Sequence, residues 1–239
     1  MFIAQHAPYL LKDYSDILTQ RALDEPVSSL ALDLLASLAA FDPTSLNVSE
    51  SFVAYLTKQA TTSYAASKLV SCISPDLVAQ EVTHIKELLE HESNDASADV
   101  LEALAAFLEY SSVEHIPSLD TLVEHLLHRI VLAPWPNHEQ ELDTEWIDDN
   151  SMPLPLRTRL SSLRVLTQWC CVQKNADLVP PVLKLLWILL GTGEVHHDQH
   201  IPLGVRARLR LYAAQCILKL ATYDAVSYTH LTLPTKRIV

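Results

Sequence analysis

Glycine is nearly missing from this chain: there are three in 239 residues, where average usage of about 7% would supply roughly 17. Sandwiches, barrels and glycine-looped nucleotide folds all need glycine in their turns, so the scarcity leaves an all-helical protein. Long hydrophobic runs are missing too. The densest stretch, Val179 to Leu190, is broken by Pro180, Pro181 and Lys184, short of the roughly 18 to 20 apolar residues of a membrane span. No membrane partner is expected. The opening MFIAQHAPYLLKD has neither a basic leader nor a long apolar segment ending in small residues, which speaks against a secretory leader. The four cysteines, Cys72, Cys170, Cys171 and Cys216, show no CxxC spacing and lie in helical surroundings, as expected of small core residues in a reducing, intracellular compartment. Basic residues are sparse over residues 1 to 149, which hold 6 against 25 acidic ones, whereas residues 150 to 226 hold 9 against 4. The two stretches are therefore expected to face different partners, or each other.

What the chain does have is apolar residues, 49% of the total, too many for a disordered chain, and they recur with helical period. Val27, Leu30, Leu34, Leu35 and Leu38 line one stripe. Val78, Val82, Ile85 and Leu89 line another, as do Val100, Leu104, Phe107 and Leu108. Prolines stand where a missing N–H costs nothing: Ser74-Pro75-Asp76 reads as a cap, a first helical residue and a carboxylate favoured by the helix dipole, and Glu25-Pro26 and Ile116-Pro117 also open helices. The pattern predicts helices near 8–21, 26–40, 49–61, 63–73, 76–92, 97–110, 118–131, 154–173, 178–190 and 204–222. Short connections make successive helices antiparallel neighbours, and a two-helix unit of roughly 40 residues is the period of HEAT and armadillo arrays. The expected fold is all-α: a HEAT/armadillo-like α-solenoid of about five helical hairpins over residues 1–226, with a compact bundle as the alternative. The segment 178–190 is apolar on nearly every face and is expected to be sandwiched. Leu209, Ile217 and Leu220 of the last helix are expected to need a following repeat. Left wet, they would forgo on the order of 5 to 9 kcal/mol and make the isolated piece marginal or self-associating.

Two stretches interrupt the helical pattern. Residues 133–153 form a long acidic loop, with Glu139, Glu141, Asp143, Glu145, Asp148 and Asp149 and no Lys or Arg. Repulsion keeps such a run solvated, although insertions of this kind in a solenoid also dock partners. Residues 227–239, SYTHLTLPTKRIV, have β-type composition and look like translated vector or adaptor sequence. They are set aside as an extended or disordered, non-native tail.

No catalytic constellation emerges. Glu194, His196, His197, Asp198 and His200 cluster between two helices, but their spacing fits neither two separated ligand pairs nor HExxH, and the flanking Gly191, Gly193 and Gly204 suggest a flexible loop. His125 and His128, beside Glu124, lack the partners that would complete a site. No GxSxG occurs, and Gly191-Thr192-Gly193 lacks the preceding strand of a phosphate-binding turn. Cys170 and Cys171 point about 100° apart on a helix, which suits neither a disulfide nor a redox motif. Carboxylates sit on polar faces with no apolar pocket to raise a pKa. The expectation is no enzyme, no cofactor and no metal. Two arginine sets stand out instead: Arg157, Arg159 and Arg164 on one helix, and Arg206, Arg208 and Arg210 on another. Arg157 and Arg164 share a face, as do Arg206 and Arg210, so these four are the candidate partner-binding residues for phosphates or an acidic peptide. The alternative is that they pair within the protein.

The segment RLRLYAAQCILKLA from Arg208 to Ala221 resembles a helix of the cohesin-associated HEAT-repeat proteins of the precocious dissociation of sisters family, fifth-named member. Trp146-Ile147-Asp148-Asp149 followed by LRTRLSSLRVL from Leu156 to Leu166 is similar to that family's tryptophan and acidic linker leading into a helix. Val179 to Leu190 resembles the leucine-rich helix that follows, and FIAQHAP from Phe2 to Pro8 the start of an earlier repeat. The resemblance covers residues 1–226 and implies a fragment of a longer, non-catalytic chromosomal scaffold, nuclear and chromatin-associated. Such a scaffold docks on the kleisin subunit of cohesin and works with release and acetylation factors to control sister chromatid cohesion, any DNA contact being indirect. None of the family's partner-contacting residues is carried over to this stretch. The alternative reading is a HEAT or armadillo scaffold of nuclear transport or adaptor assembly.

Overall fold

The computed structural model describes residues 2–23, 28–39, 46, 49–60, 63–73, 75–91, 98–110, 116, 118–135, 152–173, 178–195 and 201–223. Among these residues every regular element is helical: α1 (Phe2–Leu23), α2 (Ser28–Ala39), α3 (Glu50–Gln59), α4 (Tyr64–Ile73), α5 (Pro75–His91), α6 (Ala98–Tyr110), α7 (Asp120–His125), α8 (Leu154–Gln173), α9 (Val179–Thr192) and α10 (Leu203–Tyr223). The architecture is all-α, of the HEAT-like solenoid class that the repeat period predicts. Each element falls on an expected helix. Two differ in extent. α1 starts at Phe2 and runs through Pro8, forgoing one i→i−4 hydrogen bond there. The helix expected over 118–131 is α-helical only to His125 and continues as a π-helical turn, Leu126–Val131. The acidic residues 139–149 and the tail 227–239 lie outside the described residues, as do Pro26 and Pro117.

The chain divides into two compact units, Met1–Arg129 and Ile130–Val239. In the first, α2 packs on α1 and α4, and α4 packs on α6, so the second helix of each hairpin lies on that of the next. α4 also touches α3 and α5, and α5 touches α6 and α7. The sequence of α4 suits this central place. Its buried residues include Ala65, Ala66, Ser67 and Ser71 beside Leu69 and Val70, and small side chains let helix axes approach closely. Ser67 Oγ lies within hydrogen-bonding distance of both the Ser63 and Ala60 carbonyls, and the Ser71 hydroxyl donates to the Ser67 carbonyl at 2.8 Å. Burial therefore leaves neither hydroxyl without a partner. Phe52, Leu56, Leu69, Ile85, Leu101, Leu104, Phe107 and Leu108 form the core. At the start of α3, Ser49 Oγ accepts the Phe52 N–H at 3.3 Å and satisfies one of the free amides of the first turn.

In the second unit α10 packs on α9 and α8, and α9 touches α8. The face of α10 carrying Val205, Leu209, Ala213, Cys216 and Leu220 is buried. The expectation that Leu209 and Leu220 would be wet is thus corrected: they are 2% and 6% exposed, because that stripe is the one facing the neighbouring helices. Ile217 is half-buried. The uncovered side of α10 holds Leu203, Leu211 and Leu218 instead. The sandwich expected for 178–190 is corrected as well. α9 buries Val182, Leu183, Leu185, Leu186 and Leu189 but leaves Trp187 and Ile188 exposed. It is α8 that is covered on nearly all sides, with Arg159, Ser161, Ser162, Thr167 and Gln168 buried among its apolar residues. The Thr167 and Ser162 hydroxyls are satisfied by the Leu163 and Thr158 carbonyls, each at 2.7 Å.

Candidate functional site

The described part of the second unit is rich in cations. Its described residues from 152 to 223 carry Arg157, Arg159, Arg164, Lys184, Arg206, Arg208, Arg210 and Lys219, and a single carboxylate, Glu194. Where Glu194 sits follows from the end of α9. Gly193 caps the helix in the left-handed conformation, φ 74°, its N–H returning to the Leu189 carbonyl at 2.8 Å. A Cβ at Gly193 would lie 2.7 Å from the Arg206 carbonyl oxygen, so glycine permits both the turn and the close approach of α10. Gly191 lies inside α9 and Gly204 inside α10, which corrects their reading as flexible-loop residues. The Thr192 hydroxyl accepts the Glu194 N–H at 3.3 Å, and Glu194 is buried with Oε2 3.3 Å from Arg206 Nε. His196, His197, Asp198 and His200 lie outside the described residues. Among those described, no group of three or more His, Cys, Asp or Glu side chains is placed to hold a metal.

Arg206 Nε donates to the Ile201 carbonyl at 3.0 Å, and Arg210 Nε to the Leu190 carbonyl at 3.0 Å. Arg210 thus ties α10 to the end of α9, whereas Arg206 bonds the segment leading into its own helix and faces Glu194, just past α9. These bonds do not consume the terminal amino groups of either fork. Arg206 is half-buried and Arg210 exposed. Arg157 and Arg164, on α8, are half-exposed, and Arg164 lies within electrostatic reach of Cys216. α8 packs on α10, so all four expected arginines belong to one pair of packed helices.

Arg159, named with the first arginine set but not among the four candidates, takes the alternative role of pairing within the protein. It is 7% exposed and stacks on Trp135, its guanidinium carbon 3.9 Å from the ring centroid. Nη1 donates to the Pro155 carbonyl at 3.2 Å, and Nη2 to the Ala133 and Pro134 carbonyls at 3.1 and 3.0 Å. Burial holds its pKa down to about 10, still far above neutrality, so the side chain stays cationic. Arg159 thereby fixes the chain leaving Val131 against the start of α8. A signal existed: Leu156, Leu163 and Leu166 stand at i−3, i+4 and i+7 from it, placing Arg159 on the apolar stripe, where a charged residue must find partners. Beside it a cavity of about 10 Å³ lined by Trp135, Arg159, Leu189 and Glu194 has room for one water.

The first unit offers different chemistry. An apolar groove of about 220 Å³ between α1 and α2 is lined, among the described residues, by Leu10, Tyr14, Ile17, Leu18, Leu34 and Leu38. Along α4 and α6, the Tyr64 hydroxyl donates to Glu109 Oε2 at 3.1 Å and Lys68 Nζ lies 4.8 Å from the centre of the Tyr110 ring. Partial burial raises the Asp33 carboxyl on α2, opposed by the nearby Lys68 charge. The thiols are those of packed residues. Burial pushes Cys72 and Cys216 up, and burial with the adjacent Cys171 pushes Cys170 up to about 12, the opposite of a reactive thiolate.

No curated protein and no solved structure matches this chain significantly. A family model does match, described as "Sister chromatid cohesion protein PDS5 protein", over residues 1–236, a span reaching into the segment set aside as a tail. With helices of HEAT-like class throughout the described residues and a match over nearly the whole length, the chain belongs to the PDS5 family of sister chromatid cohesion proteins.

Proposed function

We propose that this chain is a non-catalytic scaffold segment of a nuclear, chromatin-associated cohesin regulator. It binds the kleisin subunit of cohesin and its release and acetylation factors, and any DNA contact is indirect. The observation that carries this reading is the family match over residues 1–236, which also favours it over a scaffold of nuclear transport or adaptor assembly. The nine basic against four acidic side chains of residues 150–226 support a role for Arg157, Arg164, Arg206 and Arg210 as partner-binding residues, since an excess of cations attracts acidic segments. We take residues 1–226 as the repeat segment and 227–239 as a non-native tail.

The test is capture of a recombinant kleisin subunit on the immobilised 239-residue chain. Retention should fall with rising ionic strength and drop about tenfold or more when all four arginines are reversed to Glu, by analogy with charge pairs at other interfaces. Because Arg206 also contacts Glu194, the Arg157→Glu, Arg164→Glu pair is measured separately, with helicity checked by circular dichroism. No capture by the wild-type chain would sink the reading. Capture indifferent to all four reversals would remove the patch.

A further inference from the structure

We propose that the second unit has a binding site for one buried water, held between Arg159 Nε and the Glu194 carboxylate, and that this water ties the chain around Trp135 to the turn between α9 and α10. The site belongs to the fold itself, whichever partner the chain binds.

Three observations point to it. The first is an unmet donor. Arg159 is 7% exposed, and its Nη1 and Nη2 reach the Pro155, Ala133 and Pro134 carbonyls, yet its Nε–H has no acceptor among the described residues. Buried polar groups find a partner in the protein or in ordered water, because a donor left without either costs free energy. The second is room. The cavity of about 10 Å³ beside Arg159, walled also by Val131, Trp135, Leu189, Glu194 and Leu209, has the size of a single water, and all these residues lie within the second unit. The third is the chemistry of the walls. Arg159 offers a donor and Glu194 a carboxylate, so a ligand touching both must accept from one and donate to the other. An anion would meet the carboxylate and a metal cation would meet the guanidinium; water satisfies both.

The consequence is mechanical. Arg159 is stacked on Trp135 at 3.9 Å, and Glu194 Oε2 lies 3.3 Å from Arg206 Nε on α10. With the water in place, a continuous polar path runs from the chain leaving the π-helical turn, through the start of α8, to the first turns of α10, and loosening one end loosens the other.

The test begins with Val131→Ile, which adds a methylene at the cavity wall. In a dry cavity the added carbon fills space and raises the melting temperature. In one that holds the water it displaces it, strips Arg159 Nε–H of its acceptor, and lowers the melting temperature by about 4 °C or more. Overpacking also lowers a melting temperature, so the second measurement is direct: a rotating-frame Overhauser contact between Arg159 Nε–H and a long-lived water in the full, isotopically labelled chain, expected in the wild type and lost in Val131→Ile. Glu194→Leu should lose the same contact and speed hydrogen exchange at Arg159 Nε–H about tenfold or more. A wild-type Nε–H with no water contact overturns the proposal, as does a Val131→Ile chain that melts above the wild type. An Nε–H whose water contact and exchange rate are unchanged in Glu194→Leu overturns it too, since the carboxylate would then hold no part of the site.

Discussion

Arg159 is a cation whose task is internal. Its fork reaches three carbonyls on two chain segments while its face lies on Trp135, and each such bond contributes about 0.5–1.5 kcal/mol, with the lost stacking added. Arg159→Ala should therefore lower stability by roughly 3 kcal/mol in chemical denaturation, and Arg159→Lys, which cannot span the same carbonyls, should recover only part of it. A loss under about 0.5 kcal/mol, the scale of an ordinary surface change, would contradict the assignment. Cys170 gives a pH signature. Its ordinary value is 9.0 and its folded value about 12, so between these the unfolded chain has released a proton that the folded chain keeps. Stability tied to this thiol is complete below pH 9 and is lost as pH rises through 12. The melting temperature of the wild type should fall more steeply from pH 9 to 11 than that of Cys170→Ala. Parallel slopes in calorimetry would show that the thiol titrates normally.

The helices were legible because prolines and leucine stripes mark starts and faces locally, as at Pro75 for α5. Which stripe a neighbour covers is not local information, and there the reading failed. α10 has two apolar stripes, Val205–Leu209–Ala213–Leu220 and Leu203–Leu211–Leu218, and periodicity alone does not rank them. α9 is apolar on almost every side, and packing on α10 and α8 still leaves Trp187 and Ile188 in solvent. The π-helical turn at Leu126–Val131 left no mark in composition. The hairpin's own constraint is Gly193. With φ at 74° and Arg206 backbone where a Cβ would stand, Gly193→Ala combines left-handed strain with a clash and should cost about 2 kcal/mol or more. A denaturation midpoint unchanged from wild type would mean that the cap relaxes freely.

Across the whole molecule, the charge asymmetry between residues 1–149 and 150–226 was readable from the sequence, and the structure adds the disposition of individual cations in the second unit. Arg159 works inside and Arg206 faces Glu194, while Lys184 and Arg210 are exposed. A count of arginines could not separate these roles, because burial depends on which helices meet. The absence of a catalytic motif was likewise a local reading, whereas the cohesion role rests on resemblance and on the family match. That is why the kleisin test above is made on the whole chain.

Trp135 and Met152 are both buried, and they bracket the stretch between the π-helical turn and α8. The gap between these two fixed posts is set by what each is wedged into, not by the number of links strung across it. Emptying one socket, as in Trp135→Ala, should therefore loosen the other end of the arrangement, read as faster amide exchange at Leu156 and Arg157, whose N–H groups bond the Pro153 carbonyl.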